Sequence, residues 1–300
     1  MNPRSLLVPV VALVFAPLLS GVIGRTKAYF AGRVGAPLWQ PYYDLARLLR
    51  KGAVYSRTTS WVFRAGPVVG LAAAAVATGL VPLGGLAAPL AFRGDLVVLA
   101  YLLGLARFVT VIAALDTGSS FEGMGASREV TFALLAEPAM FLGLAAMARK
   151  TQSLSLSSMF PAAWLPAGIV VVMVAGALIV VVLAENSRIP VDDPNTHLEL
   201  TMIHEVMVLD HSGPDLAFIL YGAALKLWVL SALLVGVALP HGGNPWADTS
   251  AALAAMFVIA VLVGVIESCM ARLRLARVPR LLAGAGVLAG LAMFLVFEGF

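Results

Sequence analysis

Apolar residues form eight long runs along the chain, and shorter segments between the runs hold most of the charged side chains. A helix needs about 20 predominantly apolar residues to cross the hydrocarbon core of a bilayer. These runs therefore predict an all-α polytopic membrane protein with about eight transmembrane helices. The predicted spans lie near residues 6–23, 66–83, 95–115, 129–148, 163–183, 215–239, 250–270 and 281–297.

The composition indicates the same class of protein. Of the 300 residues, 61% are hydrophobic and only 12% are charged, whereas soluble domains carry about 25% charged residues. No polar segment is long enough for a second domain, so residues 1–300 are predicted to form a single membrane domain. The single cysteine, Cys269, excludes an internal disulfide bond and a self-contained iron-sulfur cluster, which needs about four ligands. The sequence also lacks the motifs of ATP sites, dinucleotide sites and catalytic nucleophiles, so we do not expect this chain to be catalytic alone.

The distribution of basic residues predicts the orientation of the spans, because Lys and Arg accumulate in cytoplasmic loops. Fourteen of the twenty Lys and Arg residues fall on one side of the predicted spans. That side is predicted to face the cytoplasm, with loops at 24–65, 116–128, 184–214 and 271–280 and both termini outside. Such basic patches suit anionic lipid better than nucleic acid. The fourteen residues are Arg25, Lys27, Arg33, Arg47, Arg50, Lys51, Arg57, Arg64, Arg128, Arg188, Arg272, Arg274, Arg277 and Arg280.

A short cytoplasmic amphipathic helix is predicted in the first loop, over residues 42–51. Leu38, Tyr42, Leu45 and Leu49 recur at helical spacing, while charged side chains take the other side. Two interpretations stay open. The helix lies on the lipid headgroups, or it forms one wall of a cavity between the membrane and a bound cytoplasmic partner.

The loop at 184–214 is acidic, although the other loops on its side are basic. Thr196 and Glu199 have the spacing of a capping box and predict a helix that runs to about Leu209. Carboxylates beside a bilayer suit a cation path or a docking face for a basic partner, and the alternative is a solvated charged loop. The acidic residues in and next to this loop are Glu185, Asp192, Asp193, Glu199, Glu205, Asp210 and Asp215.

Three histidines, His197, His204 and His211, recur every seven residues and would share one stripe of that helix. Metal ligands on one helix usually sit three or four residues apart. The spacing therefore favours polar contacts with a partner, and no metal-binding residue is predicted.

Four ionisable residues lie in predicted spans, where an unpaired charge is costly. Arg107, Glu137 and Lys226 lie near the middle of their spans, and Glu267 lies near the cytoplasmic end of the seventh. They form either structural ion pairs or the steps of a proton relay. For Glu267 a third interpretation is open, in which it sits at the interface and faces the basic run that follows it.

Two motifs resemble those of a known family. The pattern G-R-V-G-A-P-L-W-Q-P-x-x-D-L-x-R-L-L-x-K covers Gly32 to Lys51, and A-E-N-S-R-I-P-V-D-D-P covers Ala184 to Pro194. Together they resemble the subunit 1 family of respiratory complex I, an NADH-quinone oxidoreductase, and its relatives in membrane-bound nickel–iron hydrogenases. The stretch from Thr196 to Gly213 is most similar to the hydrogenase branch, of the formate hydrogenlyase and hydrogenase-4 type.

The resemblance implies a membrane anchor between a peripheral electron-transfer arm and antiporter-like membrane subunits, in the cytoplasmic (inner) membrane of a prokaryote. The implied partners in the arm are an iron-sulfur small subunit and a catalytic large subunit. The nickel–iron centre and the iron-sulfur clusters would lie in those partners, and no cofactor would be bound by this chain.

The resemblance and the charges in the spans together give two sets of candidate site residues. The ion-coupling candidates are Glu137, Lys226, Glu267, Arg107, Glu185, Asp192, Glu199 and Asp210. The candidates for partner docking or for a cavity wall are Arg33, Gln40, Asp44, Arg47, Arg188, His197 and His204.

The function predicted from the sequence is that of a non-redox anchor and coupling subunit of an energy-converting hydrogenase, which links the peripheral arm to H⁺ or Na⁺ translocation. The Thr-His-Leu-Glu run replaces the Glu-x-Glu patterns of quinone-reducing relatives, and this difference favours the hydrogenase. The alternative within the family is the quinone-site subunit of a complex I-like oxidoreductase. Outside the family, the alternatives are a stand-alone transporter or channel and a purely structural anchor.

Overall fold

The computed structural model describes residues 3–160, 168–192 and 202–299, and these residues form α-helices and short 3₁₀ turns without a regular strand. The 3₁₀ turns are Pro3–Leu6, Glu205–Val208 and Leu275–Arg277. The α-helices are α1 (Leu7–Phe30), α2 (Gln40–Leu49), α3 (Trp61–Thr78), α4 (Asp95–Asp116), α5 (Ser120–Thr151), α6 (Leu156–Met159), α7 (Gly168–Glu185), α8 (Gly213–Ala238), α9 (Pro245–Cys269) and α10 (Val278–Phe297).

Eight of these helices are long and apolar enough to cross a membrane, which confirms the predicted fold class. They are all the α-helices except α2 and α6. Four of them extend five residues or more beyond one end of the predicted spans. α1 continues through Arg25 and Lys27 to Phe30, α3 begins at Trp61, α5 begins at Ser120 and α9 begins at Pro245. The loops predicted at 24–65 and 116–128 are therefore shorter than expected, because helical hydrogen bonding continues through polar residues that a hydropathy criterion assigns to loops.

The spanning helices pack in three connected groups. α5, α7 and α10 pack together, α3 packs against α4 and α8, and α1 packs against α8 and α9. Because α8 belongs to two of these groups and also contacts α7, it lies near the centre of the bundle and is its most buried spanning helix.

The segments between the helices lie at two ends of the bundle. We call the end that carries residues 31–36, 50–60, 117–119 and 270–277 the basic end, and residues 79–94 and 239–244 lie at the opposite end. A hydrogen bond from the Ser60 amide to the Asp116 carboxylate, at 2.6 Å, joins two connections at the basic end.

The first loop packs onto the start of α8 at the basic end. Gly213 has φ +57°, a conformation that favours glycine, and a Cβ there would lie 2.7 Å from the Gly52 carbonyl oxygen. This close approach lets the Val54 amide donate to the Ser212 hydroxyl at 3.0 Å. The first loop and the acidic loop are therefore held against each other.

The amphipathic helix predicted over 42–51 is confirmed as α2, which begins and ends two residues earlier. None of its residues is buried, although it contacts α1 and α8. The basic Arg47 is exposed, and the side chains of Tyr42 and Leu45 are half-buried. α2 therefore keeps one side against the bundle and leaves the other side uncovered in this chain.

The helix predicted to run from Thr196 to Leu209 is not an α-helix in its described part. Residues 193–201, which include His197 and Glu199, lie outside the described residues. Between Met202 and Leu209 the only helical element is the 3₁₀ turn Glu205–Val208. One reason is that the Ile203 and His204 amides donate to the Asp192 carboxylate, at 3.1 and 3.2 Å. The stripe predicted for the histidines is therefore not formed between His204 and His211.

Candidate functional site

Arg107 lies at the centre of a buried group of charges. Its guanidinium, on α4, contacts three carboxylates. Glu129 of α5 lies 3.3 Å from Nε, Glu137 of α5 binds Nη1, and Glu185 at the end of α7 binds Nη2. Only 8% of the Arg107 side chain is exposed. One cation thus joins three membrane-spanning helices.

Lys226 of α8 adds a fourth helix to this group, because its ammonium nitrogen lies 2.9 Å from the same Glu185 oxygen that binds Arg107. We call Arg107, Glu129, Glu137, Glu185 and Lys226 the ion-pair cluster. With all five groups ionised, three carboxylates face two cations, so the cluster holds one excess negative charge. Mutual pairing makes such a burial tolerable, since one unpaired charge in a span is costly.

The cluster borders a cavity of about 460 Å³, a volume typical of ligand sites. The walls come mainly from α3, α4 and α8 and are largely apolar. Four cluster residues line the cavity, and the exception is Glu137. The cavity also reaches Asp192 and His204, so it connects the cluster with the acidic loop.

A second charged group lies at the basic end of α9. Glu267 has a fully buried side chain, 2.7 Å from Lys27 of α1 and 3.4 Å from Arg188. The interpretation in which Glu267 faces the following basic run is therefore wrong. Lys27 reaches Glu267 because α1 continues past the predicted end of its span.

Asp192 fixes the acidic loop. Its carboxylate lies 2.8 Å from Arg272 and accepts the Ile203 and His204 amides, and only 2% of its side chain is exposed. A gap of about 10 Å³, lined by Glu129, Glu185 and Asp192, lies beside it. This gap is about the size of one water molecule. Asp192 therefore lines one small space together with two carboxylates of the cluster.

The docking candidates lie mainly on and before α2. Gln40 donates to Asp44 at 3.0 Å, and Asp44 also pairs with Arg47 at 3.2 Å. Arg33 is exposed in the preceding loop. Gln40, Asp44 and Arg47 thus share one face of α2, whereas Arg188 lies inside with its side chain only 17% exposed.

Sequence reasoning misses two members of these groups. The hydropathy pattern puts Glu129 at the very start of a span, where a charge is unremarkable, and its spacing of eight residues from Glu137 is the one signal that marks it. The same pattern places Lys27 in a loop. Sequence reasoning also misses the carboxylate of Glu122, which is 1% exposed at the start of α5 and accepts the Asp210 amide at 3.3 Å. Asp210 itself is exposed.

Burial favours the neutral form of two histidines of the acidic loop. The His211 ring stacks on Phe63 with centroids 3.9 Å apart, and Nδ1 has no hydrogen-bond partner among the described residues. Loss of hydration lowers the pKa of His211, although Asp210 and Asp215 act in the opposite direction. Loss of hydration also lowers the pKa of His204.

The fold and the site define a class, that of a polytopic helical membrane protein with a shared ion-pair cluster inside its spans. The family described as NADH dehydrogenase matches residues 4–298, so the chain belongs to that family. The family predicted from the two motifs is confirmed.

Curated relatives lie in both branches of the family. Formate hydrogenlyase subunit 4 of Escherichia coli (strain K12) is 32% identical over 276 residues, which cover 89% of this chain and 89% of the relative. Hydrogenase-4 component C of the same strain is 32% identical over 274 residues, which cover 88% and 85%. A subunit of the NADH-quinone oxidoreductase of Anaplasma phagocytophilum (strain HZ) is 27% identical over 219 residues, which cover 66% and 62%.

A solved structure shares the fold. One chain of the membrane-bound sulfane sulfur reductase, an archaeal respiratory membrane complex, matches with a TM-score of 0.80. The two chains are 20% identical, and the match covers 97% of this chain and 98% of the other.

Removing the Glu185 charge tests the cluster. We expect Glu185→Gln to lower the free energy of unfolding by about 3 kcal/mol, because Lys226 loses its carboxylate while it stays largely buried. Thermal unfolding in detergent measures this loss. The double variant Glu185→Gln with Lys226→Gln should lose clearly less than the sum of the single variants. Additive losses would contradict the pairing, and Glu298→Gln, at the exposed end of the chain, is the matched control.

His211 is expected to make stability depend on pH. Because its pKa is lower in the fold than the value of about 6.5 in an unfolded chain, the unfolded state binds more protons and stability falls as pH drops through about 6.5. His211→Phe keeps a ring against Phe63 and removes this titration. Unfolding midpoints between about pH 7.5 and 5.5 should therefore fall less steeply in the variant than in the wild type. Equal slopes would contradict the assignment.

Proposed function

We propose that this chain is a non-redox membrane-anchor and coupling subunit of an energy-converting, membrane-bound nickel–iron hydrogenase. In this role it docks the peripheral electron-transfer arm and links electron transfer to the translocation of H⁺ or Na⁺. The observation that carries the proposal is the ion-pair cluster, which lies inside the spans and adjoins the acidic loop. Two relatives at 32% identity, both named as hydrogenase components, favour the hydrogenase branch.

The cluster is suited to moving charge because its members compete for shared partners. Glu185 binds both Arg107 and Lys226, so a proton or a cation that reaches Glu185 weakens two contacts at once. Asp192 lines the same water-sized gap as Glu185. A change of charge at the acidic loop therefore has a short route to four spanning helices.

The basic end is proposed to face the cytoplasm, as the excess of Lys and Arg indicates. The iron-sulfur small subunit and the catalytic large subunit would then bind there, on the surface that carries Arg33, Gln40, Asp44 and Arg47. Arg47 is 69% exposed on α2 and suits an acidic partner. The nickel–iron centre and the iron-sulfur clusters are assigned to those partners.

Antiporter-like membrane subunits are proposed to contact the outer face of α5. Glu137 is the cluster residue with the most exposed carboxylate, 38% of its side chain being uncovered in this chain. An exposed carboxylate in a span is unfavourable in lipid, and a neighbouring subunit that offers a polar group would cover it.

The alternative function, a quinone-site subunit of a complex I-like oxidoreductase, is favoured by one observation. The cavity is lined by residues of six helices, and its wall is largely apolar but includes the charged groups of the cluster, which suits an amphipathic ligand with a polar head.

Isolation of the tagged chain in mild detergent tests the proposal. We expect nickel, iron and hydrogen-evolving activity in the eluate. Iron without nickel, together with quinone reductase activity, would move the assignment to the alternative, and a single chain without metal would refute both. Arg47→Glu should reduce recovery of the metal-bearing subunits, because it reverses the charge of the docking surface. Arg93→Glu, exposed at the opposite end, is the matched control.

Glu129→Gln tests the coupling role within the assembled complex. We expect hydrogen evolution to continue while the number of ions translocated per hydrogen molecule falls, because the cluster loses a proton-binding group next to the gap that leads to Asp192. Ion uptake into inverted membrane vesicles measures this ratio, and Glu298→Gln is the control. An unchanged ratio in Glu129→Gln would rule out a role for this carboxylate in coupling.

A further inference from the structure

The middle of α1 contains a break in its backbone hydrogen bonding. Pro17 lies inside the helix and has no amide hydrogen, so the Leu13 carbonyl loses the donor that a helix would normally supply four residues later. The Tyr221 hydroxyl of α8 donates to this carbonyl at 2.7 Å. A side chain from another helix therefore replaces the missing bond, as a spanning helix requires in a medium without water.

A second hydroxyl enters the same break from α2. The Tyr42 hydroxyl donates to the Val14 carbonyl. Val14 follows Leu13 directly, so hydroxyls from two different helices bind neighbouring carbonyls of α1, one turn before Pro17. A proline inside a helix is a recognised cause of a bend, and here two other helices are tied to that bend.

The first loop brings Tyr42 to this position by running back along α1. The Arg25 guanidinium donates to the Gly35 carbonyl at 2.9 Å, and the backbone at Leu38 lies directly against Gly21. The start of α2 is therefore fixed beside the middle of α1. Only glycine at position 21 leaves room for this approach.

The break lies between the parts of the molecule that the proposed function has to connect. On its basic-end side, α1 carries Ser20 in the wall of the cavity and Lys27 in the pair with Glu267. Tyr221 lies on α8, which also carries Lys226 of the cluster. α2 carries the docking surface.

We propose that Tyr42 is a positioning residue that joins the docking helix α2 to the break in α1, so that a displacement of α2 by a bound partner moves the two halves of α1 against each other. This inference rests on the proposed function for the identity of the partner. Coupling between distant sites requires one element with two arrangements that both sites influence. The break in α1 is that element, because it is tied to the docking helix α2 and to the helices α1 and α8 that carry charges.

The physical basis is that the hydroxyl groups hold the break in one arrangement. If α2 withdraws Tyr42, the Val14 carbonyl loses the hydrogen bond that ties α2 to α1. The two halves of α1 can then change their angle at Pro17, which alters the path of α1 past the cavity. Tyr221 keeps the Leu13 carbonyl paired whether or not Tyr42 is withdrawn, so the helix is not expected to unfold at the break.

The test combines Tyr42→Phe with Pro17→Ala in the assembled complex. Tyr42→Phe keeps the ring and removes the hydroxyl, and we expect the number of ions translocated per hydrogen molecule to fall by about fivefold while hydrogen evolution persists. Pro17→Ala supplies the missing amide hydrogen and allows an unbroken helix. The double variant should therefore lose no more than Pro17→Ala alone, because an α1 without Pro17 has no break for Tyr42 to hold in one arrangement. Tyr101→Phe, whose side chain is 76% exposed on α4, is the matched control.

Hydrogen exchange of the segment 11–21, followed by mass spectrometry, separates this inference from the proposed function. We expect faster exchange in Tyr42→Phe and a return to slow exchange in the double variant. Unchanged exchange in Tyr42→Phe, a wild-type ion ratio in that variant, or additive losses in the double variant would each overturn the positioning role. If the wild-type complex moves no ions, the proposed function fails, and the exchange result alone then decides whether Tyr42 holds the break.

Discussion

The charge of Arg107 is the constraint on which the arrangement of the bundle depends. A guanidinium cannot be left without partners inside a membrane, and here the partners come from α5 and α7. Glu185 then requires a further cation to share its charge, which places the Lys226 face of α8 inward. Four helices are therefore fixed in rotation by one set of contacts, whereas apolar packing alone permits many rotations of a helix in lipid.

The backbone imposes the same requirement in α1. Pro17 leaves the Leu13 carbonyl without a donor, and the Tyr221 hydroxyl on α8 replaces it, while the Tyr42 hydroxyl on α2 binds the neighbouring Val14 carbonyl. In both places a polar group that cannot reach water is satisfied by a group from a different helix. Helices that depend on one another in this way cannot move independently. A shift of α2 or of the acidic loop therefore changes the positions of helices that carry intramembrane charges.

The hydrophobic pattern is sufficient to predict the eight spans, because the requirement for a long apolar stretch acts locally along the chain. It does not predict that α1 and α5 extend into polar sequence, since helix ends depend on caps and neighbours as well as hydropathy. It also leaves the charge pairing open, because Arg107 and Glu185 are 78 residues apart and only the packing of helices brings them together. The prediction of a helix near His204 is wrong for the residues that the structure describes. Asp192 there binds two backbone amides that a helix would need for its own hydrogen bonds.

The number and arrangement of the intramembrane charges favour a coupling role over a purely structural one. An anchor gains little from buried ion pairs, since well-packed apolar residues in their place are often neutral or stabilising. This chain nevertheless buries a cluster with more carboxylates than cations, places it beside a cavity of about 460 Å³, and leaves Glu137 partly uncovered on the outer face of α5. An excess carboxylate next to a space for water or ligand is a site where a proton or a cation can be taken up without breaking the whole network. Such uptake explains the cluster, whereas anchoring explains only the eight spans.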